Sequence, residues 1–92
     1  MAHHKDAIKR MKQNAGRRLR NRHYRTRMRR QIKRVRSAVD AGDVDGAQVE
    51  LKRAVSVIHR VASKGVIHRN QAARRIQRLN RSVKSLAEGA AE

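Results

Sequence analysis

Two glycine turns, Ala41-Gly42-Asp43 and Lys64-Gly65, are the only convincing breaks in a chain that otherwise runs on through helix-forming residues. Proline is absent, and Ala, Leu, Arg, Lys and Gln are abundant, so little else along the chain stops a helix once it has started. The turns separate three helical stretches, roughly 5–41, 44–63 and 70–87. Gly42 suits the left-handed residue just past a helix end, and Asp43 suits the N-cap of the next helix. Gly65 suits the same left-handed position at the second turn, with Val66 and Ile67 placed to fold back onto the helix they follow. His68 and Asn70 both stand where the third helix needs a cap, and residue type favours Asn70.

Each stretch carries a one-sided apolar face. In the third, Ala72, Ile76, Leu79, Val83 and Leu86 recur at intervals of 4, 3, 4 and 3. The second has a broad stripe of Val44, Ala47, Leu51, Ala54, Val55, Ile58, Val61 and Ala62. In the first, Tyr24, Met28, Ile32, Val35 and Val39 recur at 4, 4, 3 and 4. Three such faces meeting in one core make an all-α, three-helix bundle. At 1.5 Å per residue the first helix spans roughly 55 Å and the others roughly 27–30 Å, so the shorter helices cannot cover the longer one. The N-terminal half of the first helix offers only Ile8, Met11, Ala15 and Leu19, and Gly16 costs about 1 kcal/mol there relative to Ala. The expected organisation is therefore a single domain over 1–92. Residues 1–22 form a projecting basic helical arm, 23–87 the bundle, and 88–92 a disordered tail.

The charge narrows the function. The chain holds 25 Lys and Arg against 7 Asp and Glu, a formal net charge of +18 over 92 residues. Such a chain repels itself, and its small core gives marginal compensation, which points to a polyanionic partner. Cysteine is absent, which excludes disulfides and Cys-based zinc sites. No apolar run approaches the roughly 18 residues of a membrane span. Met1 to Lys12 contains no apolar signal-like core, so action in the cytoplasm is expected.

The cations are unevenly placed. Residues 1–36 hold 15 Lys or Arg and one acid, Asp6, whereas 37–63 hold Lys52, Arg53 and Arg60 against four acids. The middle helix thus reads as a packing helix. In the arm and its continuation, Lys5, Lys9, Arg10, Lys12, Arg17, Arg18, Arg20, Arg22, Arg25, Arg27, Arg29 and Arg30 point in almost every direction around a helix. All-round charge suits a rod set among several phosphate backbones, and the planar arginine fork binds phosphate through two bonds. A second cluster combines a turn with a helix start: Lys64, His68, Arg69, Asn70, Arg74, Arg75 and Arg78, with Arg81 one turn on. Free backbone N–H groups there favour anions.

The histidines do not form a metal site, since His3 and His4 are adjacent near a terminus and His59 and His68 lack partners at ligand spacing. No catalytic motif or close acid pair is present, so no catalytic residue, cofactor or small-molecule substrate is expected. Tyr24, the single aromatic, lies on the core stripe, so the stacking platforms of single-strand readers are missing.

The residues now support a resemblance. Over nearly its full length the chain resembles the bacterial small-subunit ribosomal proteins numbered twenty. The resemblance is carried by His4-Lys5 through Gln13-Asn14, by Arg17-Arg18-Leu19-Arg20-Asn21-Arg22, and by Ala41-Gly42-Asp43. Its most distinctive part is the run from Ala62-Ser63-Lys64-Gly65 through Val66-Ile67-His68-Arg69-Asn70-Gln71 to Ala72-Ala73-Arg74-Arg75. The chain departs from that family's usual pattern at His3-His4, Gly16 and Tyr24. The resemblance implies a three-helix bundle with an extended first helix, bound directly and early to 16S ribosomal RNA in the body of the small subunit, with few protein neighbours. It also implies that the arm cations and the Lys64–Arg75 segment are the RNA contacts. The residues alone reach an RNA binder and stop there. A nucleoid-type DNA-binding protein or a generic cationic RNA-binding protein is the alternative, although no helix-turn-helix, dimer seam or minor-groove wedge is present. The arm's thin apolar face argues against a membrane-active helix.

Overall fold

The computed structural model describes the backbone of residues 2–91 and the side chains of residues 4–89. Three helices follow one another: α1 (Ala2–Asp40), α2 (Val44–Ser63) and α3 (Arg69–Ala91). The architecture is the expected all-α bundle with a long first helix, and its principal extents are 72 × 21 × 14 Å. Helix α2 lies between the other two and packs extensively on both, while α1 and α3 meet only narrowly.

Both corners are built from the same local chemistry. After α1, the Gly42 N–H donates to the Val39 carbonyl and the Asp43 N–H to the Ala38 carbonyl, each at 3.0 Å. After α2, the Gly65 N–H donates to Ala62 at 3.0 Å and the Val66 N–H to Val61 at 3.2 Å. These are the paired bonds of a Schellman ending, which satisfies carbonyls the helix would otherwise leave open. The motif requires a left-handed residue, and Gly42 and Gly65 supply it with φ of 72° and 74°. Asp43 serves both helices at the first corner, because its Oδ1 also accepts from the Gly46 N–H at 3.0 Å and caps α2. At the second corner Val66 folds back into the core, only 8% exposed.

The third helix differs from expectation at both ends. His68, not Asn70, is its cap: the His68 Nδ1 accepts from the Asn70 N–H at 3.1 Å, and its carbonyl accepts from the Ala72 N–H at 3.1 Å. A neutral imidazole presents one acceptor nitrogen, which here does the work of an Asn side-chain oxygen. Starting the helix at Arg69 also brings Ala72 into the core at 3% exposure. At the other end the helix runs on through the segment expected as a tail, as far as Ala91. Half-buried Leu86 and Ala87 anchor that last turn, and Lys84 pairs with Glu88 at 3.9 Å across it. Glu92 lies outside the described residues.

The core follows the apolar stripes. Met28, Ile32 and Val35 come from α1, Ala47, Ala54, Ile58 and Val61 from α2, and Ala72, Leu79 and Val83 from α3, all buried, with Val66 closing the second corner. Tyr24, Val39, Leu51, Ile76 and Leu86 pack half-buried around them, as does Val57, which lies outside the expected α2 stripe. One buried group is polar. Gln31, 7% exposed, donates from Nε2 to the Glu50 carbonyl at 3.1 Å and to Glu50 Oε2 at 2.6 Å. That bond ties α1 to α2 across the edge of the core, and the sequence pattern carried no sign of it.

Among the described residues, no buried core residue comes from α1 before Met28. The arm's apolar side chains are bare: Ile8, Met11 and Leu19 are 42%, 70% and 76% exposed. Two outcomes follow from this division. Ile58→Ala should cost about 2–4 kcal/mol in urea unfolding, since it opens a cavity between tightly packed helices, whereas Leu19→Ala should stay within about 0.5 kcal/mol. In hydrogen exchange on the free protein, amides of 5–20 should exchange far faster than those of 47–61, because only the latter open with the core.

Candidate nucleic-acid interface

Every side chain from His4 to Arg20 is exposed. On that rod stand Lys5, Lys9, Arg10, Lys12, Arg17, Arg18 and Arg20, which at 3.6 residues per turn cover about two-thirds of the circumference and leave a bare stripe of Ile8, Met11, Ala15 and Leu19. Its one acid is Asp6. Arg22, Arg25, Arg27, Arg29 and Arg30 continue the exposed series onto the part of α1 that packs in the bundle. Among the described residues the ion pairs are Arg53–Glu50 at 3.4 Å and Lys84–Glu88 at 3.9 Å, so none of the α1 cations has an acidic partner among them. Successive turns of like charge lie closer than the roughly 8 Å over which physiological salt screens them, so the rod is held under its own repulsion.

The second expected cluster is partly gathered. The turn between α2 and α3 and the first turns of α3 enclose a hollow of about 570 Å³, lined by His68, Asn70, Gln71, Arg74, Arg75 and Arg78 over an apolar base of Val66 and Ile67. Lys64, the C-cap of α2, and Arg69 are exposed outside that lining. The Nε of half-buried Arg75 is enclosed and has no hydrogen-bond partner among the described residues. An enclosed donor left without an acceptor costs free energy, and a phosphate oxygen entering the hollow would offset it. His68 has a structural duty in this place, since its Nδ1 is committed to the Asn70 N–H, which leaves only Nε2 to face a ligand.

The structure also gathers residues that the sequence reading left aside. Along the seam of α1 and α2 runs a groove of about 740 Å³ lined by His23, Thr26, Arg27, Arg30, Gln31 and Arg34 on one wall and by Lys52, Arg53, Ser56 and Val57 on the other. Read in one dimension, Lys52 and Arg53 are two cations in a segment, 37–63, that holds four acids. Their adjacency to the α1 arginines exists only once α2 has folded back at Gly42. His23 meets the ring of Tyr24 edge-on, with centroids 6.0 Å apart and planes at 63°. Tyr24 itself is half-buried against the core, in keeping with a packing role.

The chain is similar to known proteins over nearly its whole length. The family model for ribosomal protein S20 matches residues 2–84. The small ribosomal subunit protein bS20 of Magnetococcus marinus is 56% identical over 91 residues, covering 99% of each chain. That of Pelobacter propionicus is 52% identical over 86 residues, covering 94% of this chain and 99% of its own. That of Geobacter sulfurreducens is 51% identical over the same length, with the same coverage. The matched stretch takes in the arm, both corners and most of α3, and on that ground the chain belongs to the ribosomal protein S20 family.

Proposed function

We propose that this chain is a structural, non-enzymatic protein of the small ribosomal subunit that binds 16S ribosomal RNA directly and stabilises the folded body of that subunit during assembly. The observation that carries the reading is the exposed rod of residues 4–20, whose cations spread over about two-thirds of its circumference and have no acidic partner among the described residues, in a chain whose relatives are named as small-subunit proteins. A rod of this kind has no use for a flat surface; it suits a cleft where phosphate backbones approach from several directions. Its length over residues 4–20 is about 24 Å, enough to cross a helical groove and reach both flanking strands.

Affinity in this mechanism comes from neutralised phosphates and the counterions they release. Arginine forks grip pairs of phosphate oxygens, and the shape of folded RNA, not base identity, sets the position. Lys5, Lys9, Arg10 and Lys12 engage the far end, and Arg17, Arg18, Arg20 and Arg22 the middle. Arg25, Arg27, Arg29 and Arg30 engage the base of the rod. Lys64, His68, Arg69, Asn70, Arg74, Arg75 and Arg78 form a second contact at the C-terminal end of α2. Two contacts on one small body hold two RNA segments at a set distance, which is how a protein of this size stabilises a tertiary fold. The chain acts ribosome-bound in the cytoplasm with few protein neighbours. No described helix is long and apolar enough to cross a membrane.

A competition series tests this reading. Affinity for 16S RNA, for duplex DNA of equal length and for an unrelated structured RNA is measured as salt rises. Preference for 16S RNA that persists at high salt is the expected result. Preference for duplex DNA would favour a nucleoid role, and equal loss of all three would leave a generic polycation. In the same assay Arg17→Gln, Arg18→Gln and Arg20→Gln combined should flatten the log–log salt slope by about 2–3, near 0.7–0.9 for each phosphate contact removed.

A further inference from the structure

The seam between α1 and α2 is longer than one hollow. The groove that Lys52 and Arg53 share with α1 continues past Arg30 and Arg34 to the corner at Asp43 and Gly46. In the other direction it reaches Arg60 beside Arg27. Measured along α1 from His23 to Ala38, the trough is about 22 Å long. Seven Lys or Arg side chains line it against two carboxylates, Asp43 and Glu50.

Both carboxylates are already engaged within the chain. Asp43 caps α2 through the Gly46 N–H at 3.0 Å. Glu50 accepts from Gln31 at 2.6 Å and from Arg53 at 3.4 Å. Apart from Arg53, the cations of the trough have no acidic partner among the described residues. Folding α2 onto α1 therefore concentrates like charge along a concave line, a cost that the core alone must carry until an anion arrives. A lone phosphate would cover one or two of these cations. A trough of about 22 Å spans several successive phosphates of one strand.

We propose that this trough is a further RNA-backbone site, in which Lys52 and Arg53 of α2 and Arg27, Arg30 and Arg34 of α1 grip one strand from its two sides. The proposal rests on the RNA-binding reading and extends it to α2, the helix whose composition marks it as packing only. Gln31 donates both amide hydrogens to Glu50, which ties that carboxylate to the edge of the core, where Arg53 is its one cationic partner among the described residues.

The test compares three full-length proteins on 16S RNA across a salt series: wild type, Lys52→Ala with Arg53→Ala, and a charge-matched control, Arg36→Ala with Lys84→Ala. The control positions are exposed and line none of the three hollows of the trough. The groove variant should bind roughly tenfold or more weakly and show a slope flatter by about 1.4–1.8, the share of two phosphate contacts. The control should change little in either. Thermal melts of all three should coincide to within a few degrees, since the altered side chains are exposed. Equal binding by the groove variant and the control would overturn the proposal while leaving the general reading standing. Failure of the wild type to prefer 16S RNA would count against that reading, and the difference between the two variants on any folded RNA would still decide the trough.

Discussion

Mutual repulsion among unpaired cations is the constraint to which the rest of this structure answers. Two unit charges 6 Å apart in water repel by about 0.7 kcal/mol, and salt weakens the effect only beyond roughly 8 Å. With a net charge of +18, packing every element into one ball would bring many such pairs together. The chain avoids this by leaving half of its longest helix outside. Its radius of gyration is 18.2 Å, against about 12 Å for a compact chain of the same length. The extended form is the arrangement in which a small core has the least charge to overcome.

That core is economical in what it orders. Helix α2 is the least basic segment and lies between the other two, so the apolar faces of α1 and α3 are each satisfied mainly by it. Alanines at 47, 54 and 72 are almost wholly buried, which allows the helices to approach closely around Ile58, Val35 and Val61. The corners add direction. Each ends one helix with paired backbone bonds, and Asp43 both receives the end of α1 and starts α2. The reversal at Gly42 is therefore set by a handful of adjacent residues before any distant contact forms.

This locality explains what could be read in the sequence. Helix number, the two left-handed glycines, the Asp43 cap and the three apolar stripes are all short-range signals, and each reappears in the fold. The cap of α3 did not follow from residue type: Asn70 is the stronger cap former in general, but the Schellman turn at Gly65 delivers the chain one residue pair earlier, and His68 Nδ1 is then the acceptor in reach. Gln31 and Glu50 are 19 residues apart, beyond any helical period. The same is true of Lys52 and Arg53 against Arg27 and Arg30. The composition of α2 averages its three cations against its acids, whereas the fold places Lys52 and Arg53 at the seam and engages the seam's acids at the core edge and the corner.

The two halves of α1 are joined by continuous helix from Ala2 to Asp40, and that continuity relates the arm to the bundle. Along an uninterrupted helix each residue advances 1.5 Å and turns 100°, so the phase of the arm arginines relative to the trough is fixed by their count along the chain. Gly16 is the weakest link for bending, but it lies within the arm, several residues before Tyr24 first meets the core. Flexing there moves the far cations Lys5, Lys9, Arg10 and Lys12 while Arg20 and Arg22 keep their bearing on the bundle. On the proposed RNA-binding reading, contacts are added one turn at a time along the arm, beginning from cations already held in place. The ordering entropy is spread over the arm in the same way, and the near cations can bind before the far ones are committed.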